Sequence, residues 1–138
     1  MVVFGAPQKL KNHENQAVEC ALKMKKKLEE LNTKWDDNKL SRYWKNHGID
    51  SITMRTGIHT GSVIAGNIGS PEMLQYSTIG DTVNVASRLE QANKEFNTEI
   101  SFSHEIYTAL EEELFEKSKL SGEITLKGRT SPTKVYSI

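Results

Sequence analysis

Asn84 and Arg88 are the two residues whose types and spacing best suit chemistry on a bound ligand. They are four residues apart, so on a helix they lie on the same side, one turn from each other. A neutral amide and a permanent cation near a helix N-terminus suit a ligand that carries phosphate. The same pair also occurs on ordinary solvated helix faces, and the spacing alone leaves both interpretations open.

The residues around this pair predict the turn and the helix that would hold it. Gly80 permits a sharp turn after a strand end because it has no Cβ atom. Asp81 is predicted to be the helix N-cap, where its carboxylate can accept from the first free amides. Apolar residues then recur at helical spacing and predict a buried face: Val85, Leu89, Ala92 and Phe96.

The first half of the chain predicts a helix followed by a hairpin. Apolar residues at helical spacing predict a helix over 17–31, and the segment 33–50 either extends it or forms a short second helix. Val2-Val3-Phe4 is predicted to end a buried strand. Alternating residues over 52–58 predict a strand that forms a β-hairpin with 63–66, broken by Gly69-Ser70-Pro71.

The second half predicts two further strands and a helix around the Asn84 segment. Residues 99–102 are predicted to form a short strand. Ser103 is predicted to cap a helix that runs through Leu114. A final hairpin is predicted to pair 124–126 with 134–136.

Composition sets bounds on the class of protein. The 138 residues predict one domain, and 18 basic against 18 acidic residues give no global field for nucleic acid or an anionic membrane. No apolar run is long enough to cross a bilayer. Cys20 is the sole cysteine, so an internal disulfide is impossible. These features predict a cytoplasmic protein in a reducing setting, with no nucleic-acid partner.

Two other kinds of site are not predicted. The stretch from Gly61 to Ile68 begins with the spacing of a P-loop, but Asn67 stands where the lysine is required. The histidines lack the spacing of zinc ligands, which disfavours a zinc site: His13, His47, His59 and His104. His59, in its predicted turn, is interpreted as structural.

Several segments in order resemble the catalytic domain of class III adenylate and guanylate cyclases. The most specific is Gly80-Asp81-Thr82-Val83-Asn84-Val85-Ala86-Ser87-Arg88. The others are Val3-Phe4-Gly5-Ala6-Pro7, Arg55-Thr56-Gly57-Ile58-His59-Thr60-Gly61, Val63-Ile64-Ala65-Gly66-Asn67-Ile68-Gly69 and Leu126-Lys127-Gly128. Together they span nearly the whole chain.

The resemblance implies a role for each matching residue. In that family the asparagine orients the nucleotide ribose and the arginine stabilises the transition state, which gives these roles to Asn84 and Arg88. Lys127 matches the lysine that the family uses against the triphosphate, although by itself it reads as an exposed hairpin lysine. Ser77, with Thr78 beside it, matches the position that selects the base. Its hydroxyl is nearest to the threonine of some adenylate cyclases, which favours adenine, while a strand-end serine bonded to backbone is the alternative.

The resemblance also implies a fold and a metal requirement. The fold class is expected to be α/β, of the α+β ferredoxin-like kind, with a mainly antiparallel sheet, packed helices and an incomplete N-terminus. The resemblance implies that family domains begin with roughly 40 to 50 more residues, an estimate that also uses ordinary element lengths. Residues 1–138 are therefore expected to be the C-terminal portion of one catalytic domain, with the metal-binding aspartates upstream of Met1. The complete domain would bind two Mg²⁺ or Mn²⁺ ions, and this chain alone would bind none at the family site.

The activity implied is that of an adenylate cyclase, which forms 3′,5′-cyclic AMP and pyrophosphate from ATP. The family builds its site between two cyclase domains, so a homodimer is expected, with this chain supplying the transition-state residues and inactive alone. The parent could be anchored in a membrane through other segments. Two alternatives stay open: a non-catalytic dimerisation or nucleotide-binding module, and a guanylate cyclase.

Overall fold

The computed structural model describes residues 1–125 and 132–138. The helices and strands of these residues have the following bounds: α1 His13–Asp37, α2 Arg42–Lys45, β1 Thr56–Ile58, β2 Ile64–Ser70, β3 Met73–Ile79, α3 Asp81–Phe96, β4 Ile100–Ser103, α4 His104–Ala109, α5 Glu112–Lys117, β5 Lys119–Ile124 and β6 Thr133–Ser137.

A four-stranded sheet in the order β1-β4-β6-β5 forms the centre of the fold. β1 and β4 are parallel, while β6 is antiparallel to both β4 and β5. β2 and β3 form a separate antiparallel pair. The expected α/β class with a mainly antiparallel sheet and packed helices is confirmed.

Helices cover both faces of this sheet. On one face, Val18 and Ala21 of α1 and Ile106 of α4 pack with Phe102 of β4. On the other face, α3 packs Val85 and Leu89 against Val135 of β6. All four residues of β4 are buried because the strand has neighbours on both sides and helices on both faces. The fold thereby holds α3 on a layered support.

The predicted hairpin between 52–58 and 63–66 is wrong. Of the first segment, only Thr56–Ile58 is a strand, and it pairs with β4. The second segment opens β2, which pairs with β3 from Ile64↔Ile79 to Ser70↔Met73. Gly69-Ser70-Pro71 therefore belongs to the tip of a hairpin and does not break one.

Several element boundaries also differ from the prediction. Gly80 takes the N-cap position of α3 and Asp81 is its first helical residue, so Asp81 is not the N-cap. The helix expected to run through Leu114 is divided into α4 and α5, because Leu110 is extended. Ser103 precedes α4 but makes no cap hydrogen bond with its side chain.

The predictions for the two chain ends and the first helix are confirmed only in part. Residues 2–4 form no strand, and Val2 is exposed. The first helix is confirmed and extends to Asp37, and the short α2 follows it. The last hairpin is confirmed between β5 and β6, but β5 is earlier than expected, at Lys119–Ile124.

Candidate active site

Asn84 and Arg88 lie on the exposed side of α3, as their spacing predicts. The opposite side of the helix is fixed in the core by Val85 and Leu89. Arg88 Nη1 donates a hydrogen bond to Gln91 Oε1 at 3.2 Å, and no carboxylate of a described residue pairs with it. Asn84 makes no side-chain hydrogen bond to a described residue. Both polar groups are thus available to a ligand near the N-terminal half of the helix.

Asn93 anchors the C-terminal half of α3 and was not predicted from the sequence. It is 1% exposed, and its Nδ2 donates to the Thr56 carbonyl at 3.0 Å. Its Oδ1 accepts from the hydroxyls of Thr98 and Ser101, each at 2.8 Å. One amide therefore joins α3 to both β1 and β4. The available signal was an asparagine four residues after Leu89, on the apolar side of the helix.

Gly57 brings the backbone of β1 directly against α3. A Cβ atom at this position would overlap the Ala86 carbonyl oxygen and the Glu90 amide nitrogen. Next to it, Arg55 Nε forms an ion pair with Glu90 Oε1 at 3.1 Å. Strand and helix therefore meet backbone to backbone, on the side of α3 away from Asn84 and Arg88.

Ser77 and Thr78 follow each other near the end of β3 and so point to opposite faces of the hairpin. Ser77 is half-buried and lies opposite Gly66 of β2. Thr78 is buried, and its hydroxyl donates to the Met1 sulfur at 3.6 Å. The structure leaves Ser77 partly accessible and covers the Thr78 hydroxyl. Lys127, the third predicted substrate contact, lies outside the described residues.

The metal ions implied by the sequence find no donor set in the described part of the chain. Within residues 1–125 and 132–138, no group of three or more His, Cys, Asp or Glu side chains could hold a metal ion. His59 is instead part of a polar contact between strand ends, with its Nδ1 2.8 Å from Ser103 Oγ. Among the same residues, no helix combines the length and apolar character that a membrane crossing requires.

The whole sequence, residues 1–138, matches the family described as the adenylate and guanylate cyclase catalytic domain. The chain belongs to this family. The resemblance drawn from the Gly80-to-Arg88 string is therefore confirmed, and the domain is of the kind that forms cyclic nucleotides.

Similar proteins include cyclases of both base specificities. Adenylate cyclase 1 of Rhizobium meliloti (strain 1021) is 32% identical over 136 residues, which cover 99% of this chain and 19% of that protein. Receptor-type guanylate cyclase gcy-28 of Caenorhabditis elegans is 33% identical over 136 residues, covering 99% of this chain and 10% of that protein. The cyclase chain thus spans about a fifth or less of the length of these relatives, and its membership leaves the choice between ATP and GTP open.

Solved structures of cyclases share the fold of this chain. The guanylyl cyclase Cya2 matches with a TM-score of 0.72 and 27% identity, over 97% of this chain and 61% of that chain. The adenylyl cyclase CyaB from P. aeruginosa matches with a TM-score of 0.66 and 29% identity, over 97% and 63%. The cyclase fold of the chain is therefore shared with enzymes named for either nucleotide.

Proposed function

We propose that this cyclase chain contributes Asn84 and Arg88 to an active site that converts ATP into 3′,5′-cyclic AMP and pyrophosphate. The observation that carries the proposal is the exposure of both side chains on a helix whose other side is held by the core and by Asn93. Polar groups that are fixed before the substrate arrives stabilise developing charge without reorganising, and that is where their effect on rate is largest.

Each residue has a distinct task in this reaction. The ribose 3′ oxygen attacks the α-phosphorus and releases its proton, while the bond from that phosphorus to the pyrophosphate oxygen breaks. The Asn84 amide can donate and accept, so it suits the ribose. The Arg88 guanidinium presents parallel N–H groups to the phosphate oxygens on which charge is spread. As parts of the same proposal, Lys127 contacts the triphosphate and the metal-binding aspartates lie outside residues 1–138.

Ser77 supports adenine as the base. Its half-buried hydroxyl lies on the strand that leads directly into α3, one short turn before the catalytic helix. A hydroxyl can accept a hydrogen bond from the adenine amino group and can also donate one to the guanine oxygen in the same place, so the preference for adenine rests on the likeness of Ser77 to the threonine of some adenylate cyclases. In this proposal Thr78 contributes only by positioning Ser77, because the Thr78 hydroxyl is covered by Met1.

A second cyclase domain is the proposed partner, and the β2–β3 hairpin is the surface that would receive it. This hairpin exposes large apolar side chains: Ile64, Met73, Leu74 and Ile79. Apolar patches of this kind are typical of protein interfaces. The described residues also present Asn84 and Arg88 without a set of metal ligands, which fits a site completed by another domain.

Product analysis tests the proposal. The full-length protein is incubated with ATP or GTP and Mg²⁺ or Mn²⁺, and both cyclic nucleotides are measured by mass spectrometry. We expect cyclic AMP, lost in Arg88→Ala and retained in Lys94→Ala, which removes an exposed cation from the same helix. No cyclic nucleotide from either substrate, or equal loss in the two variants, would overturn the proposed function. A preference for GTP would overturn its adenylate part.

A further inference from the structure

The loop that joins β1 to β2 is packed against the first turn of α3. The ladder between β2 and β3 ends at Ile64↔Ile79, but the two segments stay in contact beyond it. Thr82 Oγ1 donates a hydrogen bond to the Ser62 carbonyl at 2.9 Å. A Cβ atom on Gly61 would lie only 2.6 Å from the same Oγ1. The loop therefore seats the Thr82 side chain with no room for a larger residue at position 61.

This contact bears on the direction of Asn84. Successive residues of a helix are rotated by about 100°, so Thr82 and Asn84 point about 200° apart. With Thr82 directed at the loop, Asn84 faces the opposite way, where it is exposed. The Val83 amide closes the first turn by donating to the Gly80 carbonyl at 3.1 Å. The exposed hydrogen bond of Thr82 thus adds to the core packing of Val85 and Leu89 in holding the rotation of this turn about the helix axis.

We propose that Thr82 is a positioning residue: its hydroxyl holds the first turn of α3 against the β1–β2 loop and so sets the direction of the Asn84 amide. The inference rests on the proposed function, because the direction matters only where Asn84 meets the nucleotide. A misplacement of about 1 Å in a catalytic group can cost on the order of a hundredfold in rate. The hydrogen bond of Thr82 in the first turn of α3 therefore affects turnover although Thr82 does not contact the substrate.

Two substitutions of Thr82 separate the hydroxyl from the shape of the side chain. In the full-length protein, Thr82→Val keeps the branched shape and removes the donor, while Thr82→Ser keeps the donor. We expect kcat to fall about five- to tenfold in Thr82→Val, as the loss of one hydrogen bond implies. KM should change less than about twofold, and Thr82→Ser should stay within about twofold of the unsubstituted enzyme. Equal losses of kcat in both variants would overturn the role of the hydroxyl.

A substitution of Gly61 tests the same contact independently, from the side of the loop. Gly61→Ala forces its new methyl group onto Thr82 Oγ1, and we expect kcat to fall. Adding Thr82→Ala removes Oγ1 and Cγ2 and leaves the Thr82 Cβ at 3.6 Å, an ordinary contact distance. The double variant should therefore recover toward the level of Thr82→Ala alone. Additive losses would show that the two residues do not act through one contact.

Hydrogen exchange on the 138-residue chain tests the contact between Thr82 and the β1–β2 loop without a measurement of turnover. Amides of the β1–β2 loop and of the first turn of α3 should exchange faster in Thr82→Val than in Thr82→Ser. Unchanged exchange in Thr82→Val would overturn the contact, whatever the enzyme does. Faster exchange with unchanged kcat would overturn the positioning role alone. If the full-length protein formed no cyclic nucleotide from ATP or GTP, the proposed function and the catalytic role of this contact would both be overturned, whatever the exchange rates of the chain.

Discussion

The proposed roles of Asn84 and Arg88 differ, an amide for the ribose and a cation for the phosphates, and single substitutions in the full-length protein test each role. Neither side chain packs in the core, and Arg88 bonds only to exposed Gln91 among the described residues. We expect Asn84→Ala and Arg88→Ala to lower kcat by on the order of a hundred- to a thousandfold. Stability should change by less than about 0.5 kcal/mol, as for other surface positions.

Steady-state kinetics and a thermal melt of the same preparations check this expectation. Lys94→Ala is the matched control, since it also removes an exposed cation from α3. Arg88→Lys adds a finer test, because it keeps the charge and loses the forked donors. A loss of turnover that tracked the loss of melting temperature would reassign the pair to a structural role.

Ser77 should control the ratio of ATP to GTP turnover. An aspartate accepts hydrogen bonds only, so Ser77→Asp should favour the amino group of adenine and oppose the oxygen of guanine. We expect the ratio of kcat/KM for ATP over GTP to rise about tenfold, which is the effect expected of one well-made polar contact. Ser77→Ala should lower the ratio. If Ser77→Ala left the ratio unchanged, Ser77 would be a strand-end serine that does not meet the base.

At the scale of elements, α3 is held by Asn93 as well as by apolar packing. Asn93→Ala would remove the acceptor shared by the Thr98 and Ser101 hydroxyls, which then keep only each other among the described residues, and the side-chain donor to the Thr56 carbonyl. We expect the free energy of unfolding to fall by about 2 to 3 kcal/mol. Urea denaturation of the chain measures it, with the exposed Glu95→Ala as control, expected to cost less than about 0.5 kcal/mol. Equal costs in the two variants would mean that Asn93 does not anchor the helix.

Local signals explain which elements could be predicted. α3 follows from apolar spacing and from Gly80, both of which act within one or two turns of the chain. The partner of β1 could not be predicted, because β4 lies more than forty residues later and reaches β1 only through the intervening hairpin and helix. The strand that begins at Ile64 was predicted but its partner was wrong, because most residues of β2 are exposed and carry no alternation that marks a face to pair or pack.

In the candidate site, too, the residues marked by local sequence could be predicted and the contacts between distant residues could not. Asn84 and Arg88 were predicted from their spacing within one helix together with the resemblance of the whole Gly80-to-Arg88 string, all of it local sequence. The link from Asn93 to Thr56 and the contact of Thr82 with Ser62 join residues that lie 37 and 20 positions apart. No local pattern marks such contacts, because an asparagine or a threonine in a helix is more often simply solvated.

At the scale of the whole molecule, the 138-residue chain alone should not form cyclic AMP. The described residues expose the Asn84 amide and the Arg88 cation, which we propose meet the substrate, and hold no set of metal ligands among them. We expect no product above background from the purified chain with ATP and Mg²⁺ or Mn²⁺. Adding a separate cyclase domain that carries the metal-binding aspartates should restore turnover in the unsubstituted chain and not in Arg88→Ala. Robust turnover by the chain alone, in a preparation free of other cyclases, would contradict this view.

The chain should also associate with itself through the β2–β3 hairpin. Ile64, Met73 and Leu74 are 75%, 78% and 61% exposed on a two-stranded sheet that pairs with no other strand among the described residues. Exposed apolar side chains and unpaired strand edges favour association. We expect dimers or larger species at micromolar concentration, measured by light scattering after size-exclusion chromatography.

A pair of matched substitutions locates the surface responsible. Leu74→Asp places a charge on the hairpin and should shift the chain toward monomer. Leu40→Asp changes a side chain of similar exposure, 59%, in the connection between α1 and α2, and should leave association unchanged. Equal effects of the two substitutions would point to general apolar exposure in place of a specific surface. A monodisperse monomer of the unsubstituted chain with a cooperative melt would show that the apolar side chains of the hairpin are tolerated in water, and the hairpin would then lose its support as the partner surface.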